Sequence, residues 1–406
     1  MKKIVVLGAG FGGIKCAITL EKLAKKNNLP VKIILIEKNR YHTFIPALYE
    51  IASASPRVSE YALYNRSNIL IKNIVKNKKI DFIKGEVSEI NCKKNSIKLE
   101  DCEEISFDYL VIAIGSQTNF YDIPGIKEYS LKLKNFVDAI KIRRATKLAD
   151  IIPNKIVIGG GGTSGIETAA EIISCFRKCC KTELSIKIIE GNDKILKSFP
   201  EKVSLLAEKR LKKLNIKILK NHFIKKLINK KVILDNGYNI PYDLFIWAGG
   251  IKNNPLLYNL PFVKEKNGLL KANSYLRLKY KNKKEGDICN NIFSIGDSVS
   301  SYDIYGKNIP ATAQKAISEG NYIAKIIIDK INNNKKPRIH YPVKTKFIIP
   351  IGGKWAITTL NGFIFGGFLG WILKNLVELK YLLSILSWHK AIYKWIAIII
   401  TFSKND

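Results

Sequence analysis

Six residues near the start of the chain, Gly8-Ala9-Gly10-Phe11-Gly12-Gly13, carry the G-x-G-x-x-G spacing. A backbone without Cβ atoms at those points can turn sharply and approach a pyrophosphate, whose charge then sits at the N-terminus of the following helix. Glu37 follows roughly 20 residues on, where a carboxylate accepts hydrogen bonds from a ribose diol. The pattern recurs as Gly160-Gly161-Gly162-Thr163-Ser164-Gly165, with Glu190 in the place of Glu37. A carboxylate at Glu190 repels a 2′-phosphate and so favours NADH over NADPH, while Lys187 and Lys194 nearby pull the other way. Each turn has a plain alternative, a glycine-rich structural bend, and the second copy has another, a duplication that has lost its ligand.

These residues do chemistry only if strands and helices place them. Lys3 to Leu7 reads as a short apolar strand, Ile14 to Lys25 as a helix, and Val31 to Ile36 as a second strand ending in Glu37. The second unit repeats the order: strand Lys155 to Ile158, helix from about Ile166 to Cys180, strand Ser185 to Ile189 ending in Glu190. Two complete units predict two dinucleotides, one a flavin and the other a nicotinamide. A third segment, Asn291 to Asp297, is an apolar strand ending in Gly296-Asp297. In flavoproteins with two dinucleotides such a strand returns to the first domain, and its Asp meets the flavin ribityl chain. The expectation is therefore an α/β chain of two Rossmann-type, three-layer domains, with the NADH domain inserted in the FAD domain. The boundaries expected are 1–120 and 271–345 for FAD, 121–270 for NADH, and 346–406 for a C-terminal helical region.

The 406 residues suffice for more than one core. Apolar residues make up 47% and charged residues 25%, which excludes a wholly disordered chain and a polytopic membrane protein. Lys and Arg total 68 against 34 Asp and Glu, a formal charge of +34 that favours anionic partners. No single block holds that charge, so it reads first as compositional bias. No basic and aromatic interleaving supports nucleic-acid binding. The start imitates a signal peptide, but no A-x-A-like cleavage site follows the apolar run. Seven cysteines, an odd number with no C-x-x-C pair, fit a reducing cytosol. Cys175, Cys179 and Cys180 read as packing residues. The four scattered His residues form no metal pattern, and no metal is expected.

With both fingerprints in place, nearly the whole chain resembles the type II NADH:quinone oxidoreductases, monotopic FAD enzymes. The segment Asn39-Arg40-Tyr41-His42-Thr43-Phe44-Ile45-Pro46-Ala47-Leu48-Tyr49 is similar to the family's stretch beside the flavin ring. Leu110 to Asn119 with Ile123 to Ile126 resembles its inter-domain strand and loop. Gly165-Ile166-Glu167 matches the end of its NADH fingerprint, and Trp247 to Ile251 with Asn254-Pro255-Leu256 the end of its NADH domain. Pro310-Ala311-Thr312-Ala313-Gln314 matches the stretch below the flavin where quinone enters. The resemblance implies NADH oxidation through FAD to a membrane quinone, without proton pumping, at the cytoplasmic face of the cell membrane. It gives Glu167 as the polar residue beside nicotinamide and flavin, and Gln314 as the amide meeting the quinone head group. The cofactor-binding set is then Gly8, Gly10, Phe11, Gly13, Glu37, Lys38, Pro46, Ala113, Gly115, Gly296, Asp297 and Ala313, with Gly160, Gly162, Thr163, Gly165, Glu190 and Gly249. Three departures stand out: Thr163 replaces a usual Pro, Ser318 a second Gln, and Gly352-Gly353-Lys354-Trp355-Ala356 an Ala-Thr-Ile-Gly-like stretch. The alternatives kept open are a soluble flavin reductase with a non-quinone acceptor, a sulfide:quinone oxidoreductase, and a non-catalytic redox-sensing scaffold. No cysteine lies between Asn39 and Pro56, where disulfide reductases of this build hold their redox pair.

The end of the chain differs in composition. Four of the five Trp residues are here: Trp355, Trp371, Trp388 and Trp395. Residues 355–373 carry no charge, but their glycines, Asn361 and paired Thr residues point to a strand and turn rather than a transmembrane helix. From Trp371 the pattern is helical. Ile372, Leu376, Leu379, Leu383 and Leu386 share one face, with Lys374, Asn375, Glu378 and Tyr381 away from it. A second stretch, Trp388 to Phe402, carries Lys390 and Lys394 beside Trp395. Amphipathic helices with Trp and Lys at the rim lie in the membrane interface, so anionic lipid is the expected partner surface. The alternative is a helical pair packed on the protein or across a homodimer.

Overall fold

The computed structural model describes residues 1–147, 153–179, 183–281, 288–302, 306, 308–333, 340, 347–360 and 362–403. Cys180 lies outside the described residues. The chain divides into two compact units. Unit 1 comprises Met1–His42, Ile69–Gln117 and Ile251–Thr345; unit 2 comprises Thr43–Asn68, Thr118–Gly250 and Lys346–Asp406. The C-terminal region therefore clusters with unit 2 rather than forming a separate body, and so does the short stretch Thr43–Asn68.

Unit 1 is built on a six-stranded sheet in the order Arg277–Lys279, Ile288–Ser294, Tyr109–Ile112, Lys2–Leu7, Val31–Glu37, Asp81–Lys84. All neighbours are parallel except the first pair. Its central strands are continuous apolar runs: Ile4, Val5, Val6, Leu35, Ile36, Leu110, Val111 and Ile292 are buried, as a parallel sheet covered on both faces requires. The register sets Val5 opposite both Ile34 and Leu110, and Val111 opposite Phe293. The late strand Ile288–Ser294 thus joins the sheet begun at Lys2, bringing Gly296-Asp297 to the same unit as the first glycine turn.

The first helix, Phe11–Lys26, buries Ile14, Ala17, Leu20 and Ala24 at helical spacing and ends in Lys25 and Lys26, which suit the negative end of its dipole. It packs on the helix Ala313–Ile331. A Cβ at Gly320 would overlap the Gly12 carbonyl, so glycine sets how closely these helices approach. A three-stranded antiparallel sheet, Val87–Asn91, Ser96–Leu99 and Glu104–Ser106, completes the described part of unit 1 that precedes Tyr109.

Unit 2 repeats the theme with a five-stranded parallel sheet, order Leu131–Lys132, Leu244–Trp247, Lys155–Gly159, Ser185–Glu190, Ile216–Lys220. The helix Thr163–Cys179 follows its glycine turn and buries Ile166, Ala169, Ala170, Ile173 and Phe176. Strands Ile224–Ile228, Lys231–Leu234 and Asn239–Pro241 form an antiparallel sheet over a core of Leu227, Val232, Leu234, Ile240 and Phe245.

The C-terminal part of unit 2 opens with antiparallel strands Ile348–Pro350, Ala356–Leu360 and Phe363–Gly367. Two helices follow, Phe368–Ile385 and Trp388–Phe402. The first is inverted relative to a water-soluble helix. Lys374, Asn375, Glu378 and Tyr381 are buried, while Phe368, Leu369, Leu376 and Leu383 are exposed. The second exposes Trp388, Ile392, Tyr393, Ile396 and Ile400. No helix among the described residues is long and apolar enough to cross a membrane.

Candidate functional site

The two glycine turns are built alike. The Gly8 amide donates to Ile36 O at 2.7 Å, and the Gly160 amide to Ile189 O at 2.8 Å. Both glycines have positive φ, 102° and 112°. A Cβ on Gly8 would strike the Ala113 carbonyl, and one on Gly160 the Ala248 carbonyl. Gly13 packs against the Gly8 carbonyl, and Gly165 against that of Gly160, with no room for a side chain at either. The middle glycines differ from these. Nothing lies within 4 Å of a Cβ built on Gly162, and Gly10 meets only the Ala113 carbonyl at 3.9 Å. That open space over a helix N-terminus is the shape a pyrophosphate needs.

The acidic strand ends are also alike. Glu37 accepts from the Ala9 amide at 2.9 Å and from Asn39 N and Nδ2 at 3.1 and 3.0 Å. Glu190 accepts from the Gly161 amide at 2.8 Å and from Asn192 N and Nδ2 at 2.9 and 2.5 Å. Each carboxylate is thus aimed at its own turn by one backbone N–H and one Asn. Lys38, next to Glu37, is exposed and pairs with Glu86 at 3.0 Å.

Around the first turn, unit 1 gathers further residues. Phe11 is buried with its ring edge-on to His42, 5.0 Å between centroids, and His42 Nδ1 lies 2.9 Å from Ala9 O. Asp297 lies beside Ser116, whose Oγ is 3.5 Å from Oδ2. Gly115 and Gly296 both have positive φ, 69° and 72°, which lets the chain turn at these two points. Ala313 and Gln314 open the helix Ala313–Ile331, capped by Thr312 Oγ1, which accepts from the Lys315 amide at 3.1 Å. The expected residues Gly8, Gly10, Phe11, Gly13, Glu37, Ala113, Gly115, Gly296, Asp297, Ala313 and Gln314 therefore share unit 1. Pro46 does not: it belongs to unit 2, in the short helix Ile45–Ala47.

Unit 2 holds Gly160, Gly162, Thr163, Gly165, Glu190, Gly249 and Glu167. It also holds an acidic cluster that sequence reasoning missed. Lys374 Nζ donates to Glu50 Oε1 at 2.6 Å and lies 3.4 Å from Glu378 Oε1. All three are buried. Burial by itself would lower the Lys374 ammonium, but the carboxylates of Glu378 and Glu50 hold it well above its ordinary range. Burial pushes the Glu378 carboxyl up, and Lys374 opposes the shift. Glu167 is pushed up to about 8, first by burial and further by Glu50, with Lys374 pulling the other way. A cavity of about 10 Å³ borders Glu50, Lys374, Trp371 and Ser403. That is room for about one water. The only local signal in the sequence was the i,i+4 spacing of Lys374 and Glu378.

The profile of the pyridine nucleotide-disulphide oxidoreductases matches residues 2–320. Among curated relatives, the demethylphylloquinone reductase NdbB of Synechocystis sp. is 30% identical over 332 residues, covering 79% of this chain and 78% of that protein. The type II NADH:quinone oxidoreductase of Staphylococcus haemolyticus is 27% identical over 368 residues, covering 84% and 85%. Among solved structures, NDH2 from Plasmodium falciparum in complex with NADH superposes with a TM-score of 0.79 at 22% identity, covering 98% of each chain.

Proposed function

This chain belongs to the pyridine nucleotide-disulphide oxidoreductases, and from that premise we propose that it oxidises NADH through a bound FAD and passes the electrons to a membrane quinone. The observation that carries the reading is the pair of intact turns, one in each unit, with a returning Gly296-Asp297 strand in unit 1 alone. FAD belongs to unit 1, held by the Gly8–Gly13 turn, Glu37 and Asp297. NADH belongs to unit 2, held by the Gly160–Gly165 turn, Glu190 and Gly249. FAD, when bound, supplies the chemistry that accepts a hydride and gives up two electrons.

The protein's residues bind, orient and manage protons. Reducing a quinone to quinol with NADH consumes one proton from solvent. Glu167, with its carboxyl pushed up to about 8, holds a proton on its carboxylate at neutral pH. The buried Lys374 ammonium keeps neighbouring Glu50 and Glu378 from repelling one another. Gln314 offers its amide to the quinone head group. The absence of cysteine between Asn39 and Pro56 removes the usual place for a redox disulfide.

The exposed apolar faces of Phe368–Ile385 and Trp388–Phe402 support attachment to one leaflet without crossing it. Lys380 and Lys390 are exposed on these two helices and suit the anionic lipids of a cytoplasmic face.

The test is two-step. NADH should bleach the flavin absorbance of the purified protein without oxygen, and a quinone in lipid vesicles should restore it. Gln314→Ala should slow only the second step, by about tenfold, the loss of one hydrogen bond. A flavin that NADH does not bleach, or that quinone does not reoxidise, sinks the reading.

A further inference from the structure

We propose that Lys315 and Glu319, a buried pair one helical turn apart, are positioning residues that fix the Gly296 backbone and through it the Asp297 carboxylate. The inference rests on the reading of unit 1 as the FAD unit and adds residues to it.

The two side chains leave the helix Ala313–Ile331 and grip the same glycine from both sides. Glu319 Oε2 accepts from the Gly296 amide at 2.7 Å. Lys315 Nζ donates to Gly296 O at 3.1 Å and to Val299 O at 2.8 Å. Glu319 Oε1 accepts from Ser301 Oγ at 2.7 Å, and Lys315 Nζ lies 3.6 Å from it. The peptide bonds on either side of Gly296 are therefore both tied to one helix. Gly296 has φ of 72°, so the turn is a left-handed one that could otherwise relax. The second of those peptides carries the amide of Asp297, so its hydrogen bond to Lys315 sets where the carboxylate points. Ser298 Oγ closes the turn from within, donating to Ile295 O at 2.8 Å.

The choice of charged groups is informative. Lys315 is 7% exposed and Glu319 is fully buried. Two charges cost desolvation that apolar side chains of similar volume avoid, so cohesion between helix and turn does not require them. What an ion pair adds here is directed bonds to a specific N–H and a specific C=O. Burial pushes the Glu319 carboxyl up, and Lys315, Ser301 and the Gly296 amide oppose that shift.

The experiment compares the purified holoprotein with Glu319→Gln, Lys315→Met and the double variant. It reads FAD retained on dialysis, the visible circular dichroism of the bound flavin, and the thermal midpoint. Each single variant leaves one buried group unneutralised and should lose both stability and flavin. The double variant should regain the thermal midpoint, yet bind FAD at least tenfold more weakly and show altered flavin dichroism. A double variant with unmodified flavin affinity and dichroism overturns the proposal, because the pair is then only a packing element. A double variant that does not fold overturns it too, since the pair is then needed for the fold itself. If the unmodified protein carries no FAD, the reading of unit 1 fails instead, a result visible before any variant is made.

Discussion

The two glycine turns agree in every feature that concerns the backbone and differ in what surrounds them. In both, the first and last glycines are forced by carbonyl groups, the middle one faces open space, and the acid is tethered by one amide and one Asn. Around the first, Phe11 and His42 form a buried aromatic wall, and a sixth strand delivers Asp297. Around the second, the helix begins at Thr163, and four residues on stands Glu167, whose proton affinity is raised first by burial and then tuned by Lys374 and Glu50. On the proposed assignment the turn is a shared solution to holding a pyrophosphate. On the same assignment the surroundings distinguish a cofactor that stays from one that arrives, reacts and leaves.

Substitution at the last glycine tests this division most severely. Gly13→Ala puts a methyl into the Gly8 carbonyl and should yield a protein purified without flavin. Gly165→Ala does the same to Gly160 and should leave flavin bound while raising the NADH concentration needed by about 10–100-fold. If both variants lose flavin, the units are not separate in function. An effect of comparable size is expected at Glu167. Its carboxyl stays protonated up to about 8, so quinone-dependent turnover should fall as pH rises through that value. Glu167→Gln should be about 100-fold slower at neutral pH and lack that fall. A limb unchanged in the variant would assign it to another group. The smallest effect belongs to Glu190→Gln, which should narrow the preference for NADH over NADPH by about tenfold, as measured by flavin reduction rates. Equal rates in the unmodified protein would remove Glu190 from that role.

The turns and their acids were legible in the sequence because their geometry is local: strand, glycines, helix, strand and acid all lie within one short stretch. The return of Ile288–Ser294 to the first sheet was legible through Gly296-Asp297. The antiparallel sheets at Val87–Ser106 and Ile224–Pro241 were not anticipated, since short strands of mixed Lys and Ile carry little periodicity. Lys374 shows why the rest was hidden. Its separation from the leucine stripe could be read from spacing, but whether that polar side faced water depended on Glu50, far away in the chain. Glu319 was equally hidden, because its partners are the backbone groups of Gly296, which no side-chain pattern reports. Pro46 was expected with the flavin residues by resemblance, and it groups with unit 2 because the helix that follows it, Leu48–Ser53, packs on the unit 2 helices Phe136–Lys147 and Thr163–Cys179.

The inverted helix Phe368–Ile385 has a kinetic meaning as well as a structural one. Its Lys and Glu are turned inward and its leucines outward, and on the attachment proposed above the protein is a resident of a surface. A resident of a surface searches for its acceptor in two dimensions. What matters then is the mole fraction of quinone in the leaflet, not the amount in the surrounding volume. Added plain lipid acts as a diluent that spreads enzyme and acceptor apart, whereas added buffer does not. On the proposed attachment the membrane is the solvent of the second half-reaction, while water remains the solvent of the first.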